Sequence, residues 1–243
     1  MAFPDRSVSM SNALARGSHA LSLSEKRVVA LALASVDSLP AKNLFDAQRQ
    51  GWTIRLFAHD YAETFDVSLD TAYDQLKSAT DALMKRLWTT VEHIRGEKGP
   101  TITRGQWASL AVYKEHQGTV DLTFHAKVSP HIMALRGQFT TYRLKQAAAL
   151  RSIYAWRLWE CIQSWKDKGR WAPTIEEFCT AMDATAKQRQ NFGEIRRRII
   201  EPAIRELRTK EGRVIEWEQV KAGRKVSGLV FTFQPDPQQK LPL

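Results

Sequence analysis

Three consecutive arginines, Arg196, Arg197 and Arg198, stand inside FGEIRRRIIEPAIRELRTKEGRVIEWE, the run from Phe192 to Glu218. A guanidinium is a planar, permanently charged fork of N–H donors that matches phosphate oxygens and the acceptor edge of guanine. The chemistry on offer is recognition of a polyanion, not bond making. Ile195, Ile199, Ala203 and Leu207 recur at i, i+4, so a helix would gather them on one stripe with Phe192 beside it. Arg197, Arg198, Arg205 and Arg208 then fall on the opposite side. Arg196 lies nearer the stripe, where an arginine snorkels or pairs with an acid. The polar run before this helix supplies Lys187, Arg189, Gln190 and Asn191. A tight cationic turn after it, KAGRKV, supplies Arg224 and Lys225, suited to phosphate contacts that position a protein without reading sequence. The competing reading is a solvated basic face.

Other chemistries lack their residues. Cys161 and Cys179 sit in apolar helical patterns with no metal-type spacing, which reads as two reduced thiols. His19, His59, His93, His116, His125 and His131 form no HxH, HExxH or HxxxH pair. A nicking nuclease with a tyrosine nucleophile needs such a paired-histidine metal site. No GxxxxGK[ST] phosphate loop occurs. Glu176 and Glu177 form an adjacent acid pair, but they fall in the first turn of a helix, where the dipole favours them. The expectation is a non-enzymatic protein with no catalytic residue, no metal and no cofactor.

Charge placement supports the polyanion reading. Of the 243 residues, 1–135 hold 15 Lys/Arg against 14 Asp/Glu, a balance of +1. Residues 136–243 hold 21 against 12, a balance of +9. Solubility would not require the excess to sit in one half, whereas a nucleic-acid partner would. No apolar run is long enough to span a membrane, and MAFPDRSVSM lacks a secretory pattern, so a cytoplasmic location is expected.

The elements that must position these cations follow from periodicity. SNALARGSHA and LSLSEKRVVALALASV predict two helices, the second opened by a Ser22/Glu25 capping box. That box and Gly17 argue against a zipper through Leu14, Leu21 and Val28. A strand Trp52 to Phe57 precedes a helix over AHDYAETF and a longer one over SLDTAYDQLKSATDALMKR, with Leu69, Tyr73, Leu76, Ala79 and Leu83 on one face. Strands LWTTVEHI, GQWASLAVYKEH and GTVDLTFHA follow. Helices followed by a β-hairpin give the order of a winged helix-turn-helix. The second half repeats it: a long helix over YRLKQAAALRSIYAWRLWECIQSWKDKG, a short one capped by Thr174 and Glu177, the arginine helix, then strands RVIEWEQV and SGLVFTF. The resemblance of DALMKRLWTTVE to PAIRELRTKEGRVIEWE suggests duplication of one module. The fold class is α+β, two tandem winged helices, with domains 1–135 and 136–243. Lys77, Lys85 and Arg86 on the first module's long helix, and Arg95, Lys98 and Arg104 near its hairpin, suit DNA-backbone contacts. Pro202 interrupts the arginine helix without breaking its phase, so one kinked helix is expected.

MSNALARGSHALSLSEKRVVALALA, YRLKQAAALRSIYAWRLWECIQSWKDKG, IRRRIIEPAIREL and KAGRKVSGLVFTF, in this order, resemble the landmarks of iteron-binding plasmid replication initiators, the tandem winged-helix Rep family of theta-replicating plasmids. The resemblance covers roughly residues 10 to 234. It implies double-stranded DNA as partner, at direct origin repeats (iterons) and at an operator inverted repeat. It further implies origin opening, recruitment of a host replication initiator and helicase, a monomer–dimer equilibrium and autorepression as a dimer. The C-terminal winged helix would read bases through residues 191–210, and the N-terminal one would touch backbone and dimerise. A winged-helix transcriptional repressor without origin function is the alternative.

Overall fold

Capping chemistry sets where the first helices begin. The Ser11 hydroxyl accepts the Leu14 N–H at 3.1 Å to open α1 (Asn12–Arg16), and Ser22 and Glu25 satisfy each other's backbone N–H groups to open α2 (Leu23–Ala34). The computed structural model describes residues 3–35, 49–92, 98–132 and 139–235. They fall into two units, Met1–Ala149 and Leu150–Leu243.

In the first unit β2 (Trp52–Phe57) leads into α3 (Ala58–Phe65). Asp66 ends that helix in the left-handed region, and Ser68 caps α4 (Leu69–Leu83). β5 (Ala108–Lys114) and β6 (Thr119–Phe124) form a hairpin, and β6 also pairs with β2, giving the order β2-β6-β5, before the short helix α5 (Ser129–Ile132). Val28, Tyr61, Phe65, Leu76, Leu83, Leu122 and Phe124 form the core, each no more than 1% exposed. Leu14 and Val28 are buried within this unit, so they are core positions and not a zipper seam. The face expected on α4 holds at Leu76, Ala79 and Leu83, but Leu69 in the first turn is 56% exposed. Ala72 and Thr80 are buried there as well.

The second unit uses the same order. Ser152 caps α7 (Ile153–Gln163), β8 (Arg170–Trp171) follows, and a Thr174/Glu177 capping box opens α8 (Ile175–Ala181). Then come α9 (Ala186–Arg189), α10 (Phe192–Ile195), a π-turn (Arg196–Ile200) and α11 (Glu201–Glu211). β9 (Arg213–Ala222) and β10 (Lys225–Pro235) form the closing hairpin. The sheet order is β8-β10-β9, so the last strand again pairs with both the first and its own hairpin partner. Trp171, Phe178 and Phe231 pack together in the core with ring centroids 5.4 to 6.0 Å apart.

Four expectations need correction. The long helix expected over residues 142–169 is three elements. Tyr142 and Arg143 end β7 (Phe139–Arg143), which pairs antiparallel with β1 (Ser7–Ser11), a strand that periodicity did not reveal. A short helix, α6 (Leu144–Ala148), follows before Ser152 starts α7. Consequently the first unit runs on to Ala149, and the boundary expected at 135/136 falls inside residues 133–138, outside the described residues. The strand expected over 105–116 is split at Trp107, which is fully buried and donates its indole N–H to the His19 carbonyl at 3.2 Å. β4 (Thr101–Gln106) turns away to pair with β3 (Leu87–Glu92) in a separate ribbon. The topological counterpart of β9 is therefore β5, not β3 as the segment resemblance suggested. The tail 236–243 lies outside the described residues.

Two features of the first unit carry predictions. Ser18 and Thr89 exchange backbone hydrogen bonds at 2.9 and 2.8 Å, locking the end of α1 onto β3. A Cβ on neighbouring Gly17 would stand 2.2 Å from the Thr89 carbonyl oxygen, a backbone atom that cannot swing aside. Gly17→Ala is expected to cost about 1–3 kcal/mol, read as a lower urea midpoint. On the sheet, Asp121 bridges two strands. It accepts Arg55 Nε at 2.6 Å and Lys114 Nζ at 2.7 Å, and the Arg55 hydrogen bond chiefly holds its carboxyl down at about 2. A carboxylate depressed on folding adds stability above its unfolded value near 3.9, and that contribution fades as pH falls toward 2. Asp121→Asn should flatten the decline of the urea midpoint between about pH 4 and pH 2.

Candidate nucleic-acid interface

A backbone conflict shapes the arginine helix. A regular α-helix needs the N–H of residue 202 to reach the Arg198 carbonyl, but Pro202 has no N–H and its ring crowds that carbonyl. The chain resolves this by widening one turn. The Glu201 N–H reaches back five residues to the Arg196 carbonyl, and Ile195, Arg196, Ile200 and Glu201 all stay in right-handed helical backbone. The helix is thus continuous from Phe192 to Glu211, and its irregularity is a π-turn placed at the three arginines.

The apolar stripe anchors this helix. Ile195, Ile199, Ala203 and Leu207 are at most 1% exposed, and Ile200 joins them at 0%. On the other side Arg197, Arg198, Arg205 and Arg208 are all exposed, as expected from the wheel. Arg197 and Arg198 do not stand alone, however. The Glu194 carboxylate takes Arg197 Nη2 on one oxygen and Arg198 Nε on the other, the latter at 2.5 Å. The Arg198 hydrogen bond, reinforced by both guanidinium charges, holds the Glu194 carboxyl below the ordinary carboxylate range. Arg196 donates Nε to Glu201 at 2.6 Å and lies 6.0 Å over the Trp217 ring. It lines a cleft of about 450 Å³ with Phe192, Glu201, Trp217, Glu218 and Gln219.

The approach to the helix is built from local caps. The connector ATAKQRQ contains α9, opened by a Thr185/Gln188 capping box that spacing alone would have shown. Lys187 and Gln190 are exposed on it. Arg189 is committed elsewhere, donating to the Ala184 carbonyl at 3.0 Å and to Glu176 at 2.6 Å. It therefore ties α9 to α8. Asn191 caps α10, its Oδ1 accepting the Gly193 N–H at 2.9 Å. At the far end Gly223, with φ of +63°, and Arg224 make the two-residue turn between β9 and β10. Arg224 and Lys225 are exposed there, with Lys221 nearby on β9.

The first unit's cations are differently placed. Lys77 donates to Glu115 at 2.9 Å, and Arg86 makes a two-pronged pair with the buried Glu25 at 3.0 and 3.2 Å. Both serve intramolecular ties. Lys98 is exposed, whereas Arg95 lies outside the described residues. His59, Asp60 and Glu63 bring ligand atoms within 4.8 Å of one another on α3, at partly or fully exposed positions. Among the described residues no helix is long and apolar enough to cross a membrane.

Sequence reasoning missed Glu194, although its i+3 and i+4 spacing to Arg197 and Arg198 was visible. It also missed the Trp217 cleft, which needs a strand to be laid beside the helix.

Comparison with known proteins agrees with this architecture. Residues 7–163 match the family model for the WH1 domain of initiator replication proteins, and residues 174–233 match the initiator Rep protein WH2 domain. A 27.6 kDa uncharacterized protein of Escherichia coli is 26% identical over 206 residues, covering 84% of this chain and 85% of that one. A replication initiation protein of Escherichia coli is 25% identical over 198 residues, spanning 79% of this chain and 60% of its own length. A probable replication protein of Bifidobacterium longum is 26% identical over 130 residues, 53% of this chain and 43% of its length. The crystal structure of the Pi initiator protein in complex with iteron DNA superposes with a TM-score of 0.70 at 22% identity, covering 96% of this chain and 99% of that one. That likeness concerns the fold. With both winged-helix domains matched in order and the first alone spanning more than half of its residues, this chain belongs to the family of replication initiator proteins.

Proposed function

We propose that this initiator binds directly repeated origin sequences in double-stranded plasmid DNA, with the helix from Phe192 to Glu211 in the major groove and the Arg224–Lys225 turn against phosphates. The observation that carries the reading is a helix anchored by a buried stripe while Arg197, Arg198, Arg205 and Arg208 are exposed on its opposite side. Lys187, Gln190 and Asn191 stand at the entry to that helix, where the first base edges or phosphates would lie. Arg189, through its ties to Ala184 and Glu176, acts by holding α9 in place. Of the first unit's candidates, Lys98 suits a backbone contact, whereas Lys77 and Arg86 are already paired with carboxylates.

Bound at repeats in the bacterial cytoplasm, the protein would help open the origin and recruit the host initiator and helicase. As a dimer it would occupy an inverted repeat at its own promoter. The related proteins named for replication, and the Pi initiator solved on iteron DNA, support this reading. Its test is a footprint on the plasmid that encodes the chain, with complexes resolved by size. Protection phased over direct repeats of about 20 bp, weakening steeply with salt, is the expected result. Protection confined to an inverted promoter repeat would replace origin binding with a repressor function alone.

A further inference from the structure

We propose that Glu194 is a positioning residue for DNA recognition, whose single carboxylate holds Arg197 and Arg198 side by side and withholds them from phosphates of unmatched sequence. The proposal rests on the functional reading above and adds to it a device for discrimination.

The geometry is specific. Glu194 sits in the first turn of α10, with Arg197 and Arg198 three and four residues on, where helical spacing places both on its side. Each carboxylate oxygen accepts from a different arginine. The arginine side chains are 69% and 63% exposed while Glu194 is 19% exposed, so the acid lies beneath the two cations. Arg198 is held through Nε, which leaves the Nη1/Nη2 end of its guanidinium for a ligand. That end can meet guanine O6 and N7 together.

Two consequences follow. The trio presents a net charge of +1 where two arginines alone would present +2, which lowers attraction to any duplex. Two long side chains are also restrained before binding, so less rotamer freedom is lost when they meet a matching site. A neutral side chain at residue 194 would undo both effects, raising affinity for arbitrary DNA more than for the repeats.

The experiment titrates wild type, Glu194→Gln and Glu194→Asp against an origin-repeat duplex and a scrambled duplex of equal length and composition, at several salt concentrations. For E194Q we expect scrambled-duplex affinity to rise about 5- to 10-fold, the repeat-to-scrambled ratio to fall by up to about the same factor, and the salt slope to steepen by about 0.9. E194D keeps the charge but is one methylene short of bridging both arginines. It should bind scrambled DNA like wild type and the repeat more weakly, and it carries the test if E194Q melts early. If E194Q keeps the wild-type ratio and slope while wild type prefers the repeat, this proposal is overturned and the functional reading stands. A wild type with no preference for the repeat overturns both.

Discussion

Replacing Arg197 and Arg198 together with alanine should raise the dissociation constant for the origin repeat on the order of 100-fold or more. That double variant should leave the melting temperature nearly unchanged, because both side chains are mostly exposed and lie on the face opposite the buried stripe. The loss has two sources. The donors that could meet base edges disappear, and Glu194 loses both of its cationic partners at a surface that must approach phosphates. Single substitutions should therefore not sum to the double, since each single variant leaves the shared carboxylate half satisfied. Titration of the two single variants, the double and a triple that adds Glu194→Gln measures this coupling. The double variant would fail the expectation if it bound the repeat like wild type. If it lost the same affinity on scrambled DNA, the arginines would be phosphate contacts and would not read bases.

The second large effect lies in the core of the same unit. Arg157 and Glu160 form an ion pair at 2.7 Å with side chains 1% and 0% exposed, and Arg157 Nε also donates to the Ala181 carbonyl at 3.0 Å. The pair thus joins α7 to the end of α8 in a place water does not reach. Glu160→Ala removes a carboxylate partner from a buried guanidinium and is expected to cost about 3–5 kcal/mol, a large share of a domain's usual stability of about 5–15 kcal/mol. Thermal melts followed by circular dichroism check it. The double replacement Arg157→Met with Glu160→Leu removes both charges of the pair and should recover most of the loss, because neither then has to be held in the core. Glu160→Ala would also weaken DNA binding, but on every sequence alike and together with the melt. That pattern separates it from the arginine variants, which should lose binding with the fold intact.

The caps, the buried stripes and the placement of the cations are local properties, and they were legible in the chain alone. Ser22 with Glu25 and Thr174 with Glu177 close their boxes where spacing put them, because every partner lies within one turn. Ile195, Ile199, Ala203 and Leu207 are buried on a helix that only their own periodicity had to specify. Pro202 likewise announced an irregularity, since the missing donor is covalent fact.

What the tertiary structure alone decided involves partners far apart in sequence or competition among partners. Ser7–Ser11 pairs with Phe139–Arg143, more than a hundred residues away, and this pairing turned the start of an expected long helix into a strand and moved the end of the first unit to Ala149. Trp107 had to find the His19 carbonyl before one apparent strand became two. Charge placement named the candidate cations, but a cation's availability depends on what else is near it. Lys77, Arg86 and Arg189 are drawn into pairs with Glu115, Glu25 and Glu176. Arg197 and Arg198 share one carboxylate at the surface, and Arg224 and Lys225 are exposed at the turn. Electrostatic energy depends on distances, and only the folded chain fixes those.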